Sequence, residues 1–134
     1  MAGYSGTPLA KKLGIKAGCV LAVIGAPSDY RSQLEPLPEG AKYSEQLSEV
    51  ADIIHVFTVK RSELERFLVK LRSGPNPDIS LWISWPKKSS KVTTEISEDT
   101  IREVARPLGF IDIKVCAVTE IWSGLKLVIR KELR

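Results

Sequence analysis

Ile111-Asp112-Ile113-Lys114-Val115-Cys116-Ala117-Val118-Thr119-Glu120-Ile121-Trp122-Ser123-Gly124-Leu125-Lys126-Leu127-Val128-Ile129 is the stretch that decides the fold. Ile111 to Val118 and Leu125 to Ile129 are rich in β-branched residues, the composition of strands. Thr119 to Gly124 is too short for a crossover helix, so the two strands must pair antiparallel. Upstream, three further apolar runs occur: Cys19 to Ile24, Asp52 to Val59, and Ile79 to Trp85. Each is apolar on both faces and reads as a strand of a sheet covered on both sides, with Cys19 to Ile24 central.

Helix signals separate these runs. Thr7-Pro8-Leu9-Ala10-Lys11-Lys12-Leu13-Gly14 predicts a small helix capped by Thr7 and stopped by a left-handed Gly14. Ser62-Glu63-Leu64-Glu65 reads as a capping box, with Leu64, Phe67, Leu68 and Leu71 as the inward stripe of the helix it opens. Ser97 caps another helix, whose stripe is Ile101, Val104, Ala105 and Leu108 before Pro107 and Gly109 close it. Prolines permit only a short helix between Ser28 and Glu39. Ala41 to Val50 fits either a helix face or a short edge strand through Lys42 and Tyr43. Right-handed crossovers then make one three-layer α/β domain over residues 1–134. Its sheet is mostly parallel, and Leu125 to Ile129 lies between the Ile79 and Ile111 strands. Leu21, Val23, Ile54, Val56, Leu81, Ile83, Val115 and Leu127 are expected in the core.

Composition narrows the function classes. The chain has 134 residues, 43% hydrophobic and 27% charged, the balance of a globular protein able to bury a core. No apolar run approaches the roughly 20 residues of a membrane helix. Met1-Ala2-Gly3-Tyr4-Ser5-Gly6 lacks the apolar region of a signal peptide, so a cytoplasmic, membrane-free protein is expected. Cys19 and Cys116 sit in strand runs and are expected as buried free thiols, and His55 as a satisfied core histidine. That set offers no metal-ligand spacing. No nucleophile elbow, phosphate loop or dinucleotide fingerprint occurs. The net charge of +4 is concentrated in Lys11, Lys12 and Lys16, in Lys87, Lys88 and Lys91, and in Lys126, Arg130, Lys131 and Arg134. Nucleic acid is disfavoured as a partner because no recognised module accompanies these groups.

The run from Leu81 to Arg130, with its capped helix, Gly109-Phe110 strand entry and antiparallel return, resembles the carboxyl half of the class I methyltransferase fold, a Rossmann-like architecture. Lys16 to Pro27 is similar to the strand that opens that fold's cofactor loop. The loop departs from the pattern: Ala22 stands near the acidic position, Gly25 is nearly alone before Pro27, and no clear acid closes the next strand. No cofactor is therefore assigned. The whole chain also resembles a bacterial family of small proteins known only as a domain of unknown function. The resemblance is carried by Leu9 to Lys16, Leu81 to Lys87, Lys114 to Val118 and Trp122 to Val128. It implies a bacterial, cytosolic protein and transfers no catalytic residues.

In open α/β sheets, ligands sit beyond the carboxyl ends of the parallel strands. Here that edge gathers Pro27, Ser28, Lys60, Trp85, Lys87 and Lys88. The start of the return strand adds Trp122 and Ser123, with Glu120 as the evident local acid. Two indoles, several cations and the helix N-terminus after Ser62 suit a small anionic ligand or an acidic partner segment. Without a matched acid–base pair, the sequence favours a non-catalytic binding or interaction module over an enzyme. The alternatives are a degenerate methyltransferase-like enzyme and a nucleic-acid accessory protein.

Overall fold

The computed structural model describes residues 7–134. The leaderless start expected at Met1 to Gly6 lies outside them. Strands β1 (Val20–Ile24), β2 (Lys42–Ser44), β3 (Ile53–Phe57), β4 (Ser80–Pro86), β5 (Phe110–Ala117) and β6 (Trp122–Ile129) form one six-stranded sheet, in the order β2-β1-β3-β4-β6-β5. β2, β1, β3 and β4 pair parallel, and β6 runs antiparallel to both β4 and β5. The return strand thus inserts where the short last connection placed it. β1 is interior but second from the edge, because Lys42 to Ser44 forms the short outer strand.

Helices cover both faces. α3 (Arg61–Arg72) and α4 (Glu98–Ala105) press Leu64, Leu68, Ile101 and Val104 onto Leu81, Ile83, Leu125 and Leu127. α1 (Leu9–Lys12) and α2 (Tyr30–Leu34) lie on the other face, with Leu13, Tyr30 and Leu34 against Leu21, Val23 and Trp82. The Trp82 indole donates to the Leu13 carbonyl at 3.0 Å, which fixes the exit of α1 over β4. Phe67 and Leu108 pack at the margin and stay half-buried. Among the described residues no helix is long and apolar enough to cross a membrane.

Three local expectations are corrected. Pro8, not Thr7, stands at the cap position of α1, although Gly14 does turn left-handed at φ +79°. Ser62 lies inside α3, whose cap position is Lys60; the amide of Arg61 is held by the Glu95 carboxylate at 2.9 Å. A carboxylate arriving from another loop has displaced the local hydroxyl cap. Val115 is 48% exposed instead of buried. β5 is the outer strand, and a bulge breaks its register between Asp112 and Lys114. Arg102 of α4 reaches Asp112 at 2.9 Å, while Val115, beyond the bulge, remains open to solvent. The Ser97 cap is present as expected, reciprocated by the Thr100 hydroxyl.

Candidate functional site

The carboxyl ends of β1, β3 and β4 and the start of β6 meet at one edge. β4 and β6 pair Trp85 with Ser123 and Pro86 with Trp122, and the Lys87 amide donates to the Ile121 carbonyl at 2.7 Å. The Trp122 ring meets Phe57 edge-on, with centroids 5.2 Å apart. Gly25 follows β1 with φ +73°, and a Cβ there would stand 2.7 Å from the Phe57 carbonyl. Pro27, Ser28, Lys60, Lys87, Lys88, Trp122 and Ser123 therefore all lie along this edge. Ser28, Lys60 and Lys88 are exposed, while Pro27, Lys87, Trp122 and Ser123 are half-buried.

Trp85 does not join them. Side chains alternate along β4, so Leu81, Ile83 and Trp85 face α3 and α4, while Trp82 and Ser84 face α1 and α2. Trp122 belongs to the second face. Trp85 is 8% exposed and fills the core beneath the helices. The two indoles are thus separated by the sheet.

The edge also holds acids beyond Glu120. Glu63 accepts the Thr58 hydroxyl at 2.8 Å, and Glu95 both caps Arg61 and donates its own amide to the Val59 carbonyl. The amino end of α3 is thereby filled from within, which removes the free Arg61 amide from any ligand. These acids engage a hydroxyl and a backbone amide, not lysines. Among the described residues the ion pairs are made by Arg61, Arg102 and Arg106, and none involves Lys60, Lys87 or Lys88.

Directly beneath lies a polar chain that the sequence did not reveal. Tyr30 Oη is 2.7 Å from His55 Nδ1, and His55 Nε2 is 2.6 Å from Ser84 Oγ. All three residues are 0% exposed. Phe57 stacks on the imidazole at 4.2 Å. Burial holds the His55 pKa down at about 3 and pushes the Tyr30 phenol well up, so both are neutral. A hydroxyl beside an imidazole has the elements of a nucleophile and base, but no substrate reaches this pair through the packed aromatics. Its work is structural: it joins β3, β4 and α2 through satisfied buried hydrogen bonds. Cys19 is buried and Cys116 only half-buried, and burial raises both thiols. Among the described residues no group of His, Cys, Asp or Glu is placed to hold a metal ion.

An apolar recess of about 360 Å³, floored by Leu47, Ile54, Leu71 and Ile79, opens at the opposite, amino edge. Two of the polar groups on its rim are committed locally: Asn76 donates to the Ala51 carbonyl and Ser73 to that of Val69. It offers no converging polar set.

Among solved structures, a SAM-dependent methyltransferase from Aquifex aeolicus superposes with a TM-score of 0.64 at 16% identity, over 91% of this chain and 88% of that one. A putative type 11 methyltransferase from Sulfolobus solfataricus gives 0.62 at 12% identity, over 92% and 90%. The DhpI–SAH complex gives 0.60 at 13%, over 92% and 83%. The fold is methyltransferase-like. No protein-family model and no curated protein matches the chain, so the resemblance to an uncharacterised bacterial family rests on the quoted stretches alone.

The residues at the edge do not fit the SAM that such a fold implies. Gly25 is the lone glycine between Gly18 and Gly40, and its missing Cβ leaves room for the Phe57 carbonyl, not for a cofactor. Pro27 follows, and then a five-residue α2 whose first side chain is the buried Tyr30. One feature does match. Glu45 stands directly after β2, where dinucleotide-binding relatives of the architecture place an acid for a ribose. The sequence hid it because β2 itself was ambiguous. Even there the carboxylate is close enough to Tyr43 to help burial raise that phenol.

Proposed function

We propose that this protein is a non-catalytic binding module on a methyltransferase-like scaffold, taking a small anionic ligand with a flat ring at the carboxyl edge of its sheet. Lys87 and Lys88 supply charge from the loop after β4, Lys60 adds to it from the cap of α3, and the half-buried Trp122 offers an aromatic surface. The observation that carries this is the division of labour at the edge. Glu63 and Glu95 are spent on Thr58 and Arg61, Glu120 is in no ion pair, and Lys60, Lys87 and Lys88 stand outside every ion pair of the described residues. Unpaired cations near an aromatic ring favour an anion. Binding without turnover is inferred because the hydroxyls beside a base near this edge, Ser84 next to His55 and Thr58 next to Glu63, are both buried.

The test is the double reversal Lys87→Glu/Lys88→Glu, with 1-naphthyl phosphate as the flat anionic probe. Folding should be almost unchanged, because exposed charges contribute little to stability. Affinity should fall at least tenfold, about 1.4 kcal/mol. Unaltered affinity would sink the proposal. Glu45 favours a second reading, a degenerate methyltransferase-like enzyme. Saturable binding of SAM, lost in Glu45→Gln, would put that reading ahead.

A further inference from the structure

A second cationic cluster forms at the opposite end of the sheet, from residues far apart in sequence. β5 and β6 set Lys114 directly opposite Lys126, a like-charge cross-strand pair. Such a pair is destabilising unless something compensates it. Lys126 reaches the exit of α1, where a Cβ added to Gly14 would lie 3.9 Å from its Nζ. Lys114 Nζ donates to the Lys12 carbonyl at 3.1 Å, and Lys12 Nζ to the Ala117 carbonyl at 3.0 Å. Lys16 follows in the same loop. Burial first, then the charges of Lys114 and Lys16, lowers the Lys126 pKa, as expected for crowded ammonium groups.

Two of these lysines, Lys16 and Lys126, border a recess of about 490 Å³ between the α1 exit and the amino ends of β1, β3 and β4. Lys16 and Lys126 stand on its wall with Gly14, Gly18, Asp52, Asp78 and Ser80. Asp52 already accepts the Val20 amide at 2.9 Å, and Asp78 is exposed. Its lining thus combines two ammonium groups with two carboxylates and a hydroxyl. A ligand matching both carries an anion at one end and hydrogen-bond donors at the other.

The geometry points to this recess as a site for a small phosphate-bearing polyol, such as a sugar phosphate, its phosphate held by Lys16 and Lys126 and its hydroxyls by Asp78. The site is independent of the carboxyl edge and lies at the other end of the strands. A bound dianion would relieve the repulsion between Lys114 and Lys126, so the free protein carries strain that the ligand removes. That yields an unusual signature: removing the lysine should harm binding while leaving the free protein as stable or more so.

Inorganic phosphate and ribose 5-phosphate are the probes, followed by calorimetry and thermal melting on the full chain. Both should raise Tm saturably, because each binds the folded state. Ribose 5-phosphate should bind more tightly than phosphate, and Asp78→Asn should erase that advantage. Lys126→Met should weaken phosphate at least tenfold with no fall in the Tm of the free protein. Lys16→Ala, at an exposed position, should weaken phosphate without touching the core. Arg66→Glu, an exposed charge on α3 outside both sites, should bind phosphate as the parent does. The inference is overturned if phosphate produces no saturable shift, or if Lys126→Met and Lys16→Ala bind it as the parent does. It is equally overturned if only the Lys87/Lys88 reversal abolishes binding, which would assign the phosphate to the carboxyl edge. Equal affinity for phosphate and ribose 5-phosphate would overturn the assignment of a polyol.

Discussion

Lowering the pH from 7 to 5 should destabilise this protein through one side chain, His55. The imidazole is wholly buried between Tyr30 and Ser84 and stays neutral down to a pKa of about 3, whereas an unfolded histidine titrates near 6.5. Above about pH 6.5 both states hold a neutral ring and the site is indifferent to pH. Below it, only the unfolded chain takes up the proton, so stability falls as the pH drops toward 3. Between pH 7 and pH 5 the loss works out at about 2 kcal/mol, and further down it approaches about 1.4 kcal/mol per pH unit. His55 is the only histidine, and ordinary carboxylates titrate mostly below this window, so the effect belongs to one group. Urea unfolding at pH 5, 6 and 7 measures it, as a midpoint lowered by roughly 1 M at pH 5 for a typical m-value. His55→Gln, whose amide still offers a donor and an acceptor, should flatten the profile. An imidazole that titrates near 6.5 in the folded protein by NMR, or stability constant from pH 7 to 5, would refute the reasoning.

Two further outcomes are expected. Leu81→Ala, at a fully buried position, should cost about 3 kcal/mol, whereas Val115→Ala, on the open face of the outer strand, should stay within about 0.5 kcal/mol; comparable losses in chemical denaturation would contradict the bulge-driven exposure of Val115. Glu95→Ala should remove the long-range cap of α3 and lower stability by about 1 kcal/mol, while Ser62→Ala should change little; the reverse ranking would restore the local capping box.

The strand order was legible because burial and connection length both act locally. Cys19 to Ile24, Asp52 to Val59 and Ile79 to Trp85 are too apolar to face water, and six residues cannot carry a crossover. What escaped depends on register. The alternation that puts Trp85 under α4 is visible in the sequence. Which side Trp122 takes, however, follows from its pairing with Pro86. The bulge at Asp112 decides that Lys114 faces Lys126 and that Val115 is exposed, and nothing in Ile111 to Val118 announces it. The partners of His55 come from α2 and β4, Tyr30 twenty-five residues before it and Ser84 twenty-nine after. Glu95 defeated the Ser62 cap in the same way, by arriving from another loop. Of the candidate site, the edge and its lysines were readable, while its internal acids and the separation of its tryptophans were not.

The central claim is that the carboxyl edge binds a flat anion without taking up SAM. An NMR titration that follows every backbone amide and the Trp122 indole N–H, with 1-naphthyl phosphate and then SAM, tests it most directly. The account predicts that naphthyl phosphate shifts the signals of Ser28, Lys60, Lys87, Lys88 and Trp122 saturably, and that SAM leaves Gly25 to Ser28 and Glu45 unmoved. Saturable SAM shifts at Gly25 and Glu45, or a naphthyl phosphate response that bypasses Lys87, Lys88 and Trp122, would contradict it.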